Sequence, residues 1–179
     1  MAAYLAAQGL HSPNLDQVSS GEQVLRLCHA QYLTEGLQSL RAIPRDSVDF
    51  IWSHVVLQHI KWAEFAEVLR ECRRMLRPTG VCSHRVDLTD QMAGSLNHLR
   101  FSFRLWESGF VADSDYYTNR LRHTQILTCF REAGFVPTVT NTQRWPRFPV
   151  ARTTLWREFR DHSDEELLVS AFDVILTAA

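Results

Sequence analysis

The segment SVDFIWSHVVLQHI, residues 47–60, followed by RMLRPTGVCSHRVD, residues 74–87, constrains the fold more than any other part of the chain. In VDFIWS the apolar residues Val48, Phe50 and Ile51 form a short run of β-branched and aromatic types behind the turn-like IPRDS. That pattern predicts a buried parallel strand ending near Ser53. From Ala63 to Leu76 the apolar positions Phe65, Val68, Leu69, Cys72, Met75 and Leu76 keep the spacing of one helical face, and Glu64, Glu67, Arg70, Glu71, Arg73 and Arg74 occupy the rest. Pro78 and Gly80 are expected to end that helix, and GVCSHRVD reads as a second strand. A strand, helix, strand unit of this length packs as a right-handed crossover with its strands parallel. Ser53 and Asp87 then emerge at one edge of the sheet, the carboxyl edge where open α/β folds bind ligands.

The remainder repeats the alternation. Gln23 to Cys28 reads as helix and Ala30 to Thr34 as a short strand. Thr124 to Ala133 reads as a helix with Thr124 as N-cap and Gly134 as its stop. Phe135 to Thr140 suits a strand, Ser163 and Glu166 have capping-box spacing, and Ala171 to Thr177 suits a last strand. Strands alternating with helices give the α/β class. Residues 88–122, rich in aromatics and arginine, break the alternation and read as an insertion over the carboxyl edge that carries substrate contacts. There is no internal repeat and no low-complexity linker, and 179 residues predict a single domain over 1–179.

A formal net charge of −1 points to no nucleic-acid partner and to no anionic membrane surface. The longest apolar runs are too short to span a bilayer, and no basic region follows Met1. Cys28, Cys72, Cys82 and Cys129 are scattered without C-x-x-C spacing and predict reduced thiols in a cytoplasmic protein. The eight histidines and four cysteines show no metal-ligand spacing. The five tryptophans are expected to pack.

The stretches DFIWSHVVLQHI, LRPTGVCSHRVDL, DYYTNRLR and REAGF, in this order, resemble the central and C-terminal parts of class I S-adenosylmethionine-dependent methyltransferases, from about Ala30 to the C-terminus. The resemblance implies a Rossmann-like sheet, mostly parallel with a C-terminal antiparallel strand, and S-adenosyl-L-methionine as cofactor. It departs at two points: Gln58 stands where the family has Glu, and Thr79 replaces the first glycine of the turn. The family's glycine-rich cofactor loop has no counterpart, since no two of the glycines at 9, 21, 36, 80, 94, 109 and 134 are close enough to form it. The domain is therefore expected to be incomplete at its N-terminus, with the first strand, the loop and the ribose-holding acid outside this chain.

In such an enzyme the protein aligns methyl donor and acceptor, excludes water, and supplies a base only to a protonated acceptor. The resemblance places Ser53, His54, Val55 and His59 on the cofactor side, with core packing the competing reading for His59. His84 and Asp87 are candidates for activating the acceptor, or else bond locally. Tyr116, Tyr117, Asn119, Arg120 and Arg122 combine aromatic walls with donors, as a small-molecule or glycan acceptor would need, or simply open a surface helix. The alternative function is a non-catalytic module that forms a homo-oligomer through an exposed sheet edge.

Overall fold

A computed structural model describes residues 6–9, 14 and 18–179 of the chain. It divides into two compact units, residues 1–39 and 40–179. In the first unit helix α1 (Gly21–Leu27) is capped by Ser20, whose hydroxyl accepts from the Gln23 amide, and it buries none of its residues. Residues 30–34, expected as a strand, have no regular structure. Helix α2 spans Leu37–Ala42 and buries Ser39.

The second unit holds a four-stranded sheet: β1 (Val48–His54), β2 (Leu76–Asp87), β3 (Phe135–Arg144) and β4 (Val169–Ala178), in the order β1-β2-β4-β3. β1 and β2 are parallel, and β4 lies antiparallel between β2 and β3. Three strands thus run one way and the C-terminal strand runs against them, as expected. Helix α3 (Trp62–Met75) turns Phe65, Leu69, Cys72 and Met75 into the core. Helix α4 (His123–Glu132) adds Ile126 and Phe130. Cys82, Val86, Phe172, Val174 and Leu176 of the sheet meet them in one cluster.

Several local expectations are corrected. α3 ends at Met75 and β2 begins at Leu76, so Pro78 and Gly80 sit inside the strand at a register irregularity between Val48 and Phe50. Proline is tolerated there because such an irregularity leaves its missing donor unneeded. Gly80 is required for space: a Cβ would lie 2.7 Å from Leu76 Cδ1 and 3.0 Å from the Asp49 carbonyl oxygen. β1 is not buried. It is an edge strand with Phe50 58% and Trp52 65% exposed, and only its other face packs. Trp62 and Trp156 are exposed too, whereas Trp106 is buried. The N-cap of α4 is Arg122, whose amide donates to Gln125 Oε1, while Thr124 donates from both its amide and its hydroxyl to Glu166 Oε1. Gly134 does stop the helix, at φ 89°. Among the described residues no helix is long and apolar enough to cross a membrane.

Candidate active site

The parallel register sets Ser53 beside His84 and His54 beside Arg85, which brings the carboxyl ends of β1 and β2 together. Ser53 Oγ lies 2.7 Å from His84 Nδ1. β2 alternates strictly, so His84 shares the core face with Cys82 and Val86, stacks on Phe130, and is only 4% exposed. Burial pushes its imidazole down to about 4. Asp87 lies on the opposite face, half-buried, with Oδ1 accepting from the Thr89 amide at 2.8 Å. His84 and Asp87 are therefore neighbours in sequence and not a pair in space. Geometry favours local bonding for His84 and leaves Asp87 at the edge.

Beyond β1 the chain kinks. Val55 has φ 58°, a conformation costly for a β-branched residue, and its amide donates to the Arg85 carbonyl. Such strain collects where a backbone must meet a ligand or a tight turn. His54 is exposed and stacks on Trp52, and His59, also exposed, uses Nδ1 on the Tyr117 carbonyl oxygen at 2.9 Å. Ser53, His54, Val55 and His59 thus all lie at or just beyond the carboxyl end of β1, with Ser53 turned to the core face and His54 to the exposed one. In the second unit the described glycines at this edge make no close approach that would cradle a ligand, since the crowded one, Gly80, lies at the amino end of β2. Among the described residues of the second unit, the side chains at this edge that could meet a cofactor are Ser53, His54 and His59.

The predicted acceptor residues are spent mainly on the protein itself. Tyr116 is exposed, but the Tyr117 hydroxyl accepts from the Trp62 amide and donates to Glu107 Oε2, both at 2.9 Å. Asn119 Nδ2 donates to the carbonyls of Leu57 and Ile60. Arg122 is fully buried and donates to the carbonyls of Leu88 and Val169 at 2.8 Å, tying the end of β2 to the start of β4. Arg120, at φ 59°, donates to the Phe101 carbonyl and packs its guanidinium between the Trp106 and Phe159 rings.

Two cavities adjoin these groups. A cleft of about 320 Å³ is walled by Trp62, Phe103 and Phe159, with Arg120, Glu158 and Gln125 supplying polar edges. It shares Asn119, Arg120 and Leu121 with a much smaller cavity of about 10 Å³ beside Asp87, lined also by Gln58, His98 and Thr118. Sequence reasoning missed Gln58, His98 and Thr118. The one signal available was that Gln58 departs from the family pattern.

Residues 2–83 match the methyltransferase domain family model. No curated protein matches the chain. Among solved structures, a S-adenosylmethionine-dependent methyltransferase from Methanosarcina mazei is similar at 13% identity, with a TM-score of 0.55 over 98% of this chain and 76% of that one. The YcgJ protein of Bacillus subtilis gives 13% identity and a TM-score of 0.53 over 94% and 81%. A chain of the Haloferax volcanii complex between the Trm112 methyltransferase activator and its methyltransferase gives 16% identity and a TM-score of 0.41; this chain spans 56% of its length. The family match over residues 2–83 and the mixed sheet agree with the motifs, and the structural likeness shows the Rossmann-like fold of such methyltransferases.

Proposed function

We propose that the chain serves methyl transfer to a small acceptor carrying a hydroxyl or amino group, and that in this chain cofactor binding is weakened. The observation that carries the reading is the aromatic cleft of about 320 Å³, which shares Asn119, Arg120 and Leu121 with the small cavity lined by Asp87. Its size suits a small molecule, and Trp62, Phe103 and Phe159 suit a flat body or a sugar face. Arg120 and Glu158 orient polar substituents, and residues 88–122 shield the edge from water. Asp87 is the base for a protonated acceptor, because it reaches the cavity while His84 lies on the core face. Ser53, His54, Val55 and His59 form the wall that the cofactor would touch. Acceptor class and this division of roles rest on that cleft and on the family resemblance, and a cytoplasmic location rests on the free thiols of Cys28, Cys72, Cys82 and Cys129.

The test is methyl transfer from the labelled cofactor to a panel of small alcohols, amines and glycans, with product counted per folded molecule. Asp87→Asn should lower turnover ~10²-fold with little change in cofactor affinity. His84→Ala should leave turnover per folded molecule near wild type and lower thermal stability instead. The reverse ranking would transfer the base to His84.

A non-catalytic second reading is favoured by one observation. Among the described residues β1 is an edge strand with Phe50 and Trp52 exposed, a surface suited to association with another chain.

A further inference from the structure

Gln58 closes the turn after β1, and both ends of its carboxamide are shut off from solvent without a hydrogen-bond partner. The same is true of Thr118 Oγ and of His98 Nδ1, whose neighbour Asp90 Oδ2 is 3.9 Å away. These residues are 2%, 2% and 1% exposed, and all three line the cavity of about 10 Å³ beside Asp87. Their frame is fixed. The Asn119 amide donates to the Gln58 carbonyl at 2.7 Å, and Trp106 Nε1 donates to the Thr118 carbonyl at 2.7 Å.

Buried polar atoms are nearly always paired, because an orphaned one keeps the full cost of its desolvation. Here the three residues that carry such atoms line one space with room for about one water molecule. Gln58 brings a donor and an acceptor, and the Thr118 hydroxyl can act as either. Burial pushes His98 down to about 4, so near neutral pH it offers an uncharged ring nitrogen. A guest in such a seat must both donate and accept, must be uncharged, and can bring only one heavy atom into the cavity.

We infer that Gln58, Thr118 and His98 form a seat for a single neutral hydroxyl oxygen at the joined carboxyl ends of β1 and β2, filled by water or by the hydroxyl of an alcohol. An alcohol held there lies beside Asp87, where the methyl-transfer reading needs its acceptor. The seat itself stands without that reading.

The test turns on a sign. Gln58→Met and Thr118→Val keep side-chain shape and remove the polar partners. With an oxygen in the seat, each should lower Tm by ~3 °C or more. With a dry seat, each deletes an unpaired buried atom, and an unchanged or raised Tm in both variants would overturn the proposal. In the wild-type protein, nuclear Overhauser transfer from water to the Gln58 side-chain NH2 protons should be seen in plain buffer, and its absence would also overturn it. Added methanol separates the sources: methyl cross-peaks to Leu88 identify an alcohol seat, and a water cross-peak that persists alone identifies solvent. This readout does not use turnover, so it can succeed or fail independently of the methyltransferase assay.

Discussion

Two buried histidines should make this fold acid-labile in a defined window. His84 and His98 are each held down to about 4 by burial, from an ordinary value of 6.5. A base whose folded pKa is depressed contributes stability in full above 6.5; that stability is lost as pH falls from 6.5 towards 4, since the unfolded chain takes up the proton first. At pH 5 an unfolded histidine is almost fully protonated and these two are almost fully neutral, so each adds a slope of about 1.2 kcal/mol per pH unit. Across the window the loss is about 3 kcal/mol per residue, a large part of the stability of an ordinary domain. Urea denaturation of the wild type, His84→Gln and His98→Gln at pH 7, 6, 5 and 4 measures this directly. Each variant is expected to be less stable at pH 7 and to lose about 3 kcal/mol less on acidification. Slopes identical to the wild type in both variants would refute the burial argument.

Arg122→Met removes the donor to the Leu88 and Val169 carbonyls inside the core, and should cost about 3–5 kcal/mol by equilibrium denaturation; a loss under 1 kcal/mol would mean that the carbonyls find other donors. The Val55 amide donates to Arg85 of β2, so the alternate residues Phe50, Trp52 and His54 turn their backbone groups to the free edge. Antiparallel pairing with a second copy about Ile51 would set Phe50 against the partner's Trp52. Sedimentation should show a dimer that Trp52→Lys dissociates, and a wild-type monomer at micromolar concentrations would exclude this edge.

The strand, helix, strand unit was legible because its signals are local. Phe65, Leu69, Cys72 and Met75 can share a face only in a helix, and the alternation of β2 fixes which of its side chains enter the core. Whether a neighbour covers a strand is a tertiary fact. The run Phe50, Ile51, Trp52 therefore reads as buried while two of its three residues meet solvent. Arg122 misled for the opposite reason: a guanidinium is read as a surface or ligand group, yet two carbonyls freed where β2 ends and β4 begins make it a buried tie. Pro78 and Gly80 usually end a helix, and here they shape a strand entrance where Asp49 and Leu76 leave no room for a Cβ. The seat of Gln58, His98 and Thr118 joins residues up to 60 positions apart, so no spacing rule could find it.

The most direct test of the account is calorimetric titration of this chain with S-adenosylmethionine. The proposed wall of Ser53, His54, Val55 and His59, with no glycine cradle among the described residues of the second unit, should bind at least ~2–3 kcal/mol more weakly than a complete relative, on the scale of a few lost charge-assisted hydrogen bonds. The account predicts a Kd weaker than ~100 μM. A Kd near ~1 μM would contradict it, because such affinity requires a complete cofactor site within these 179 residues.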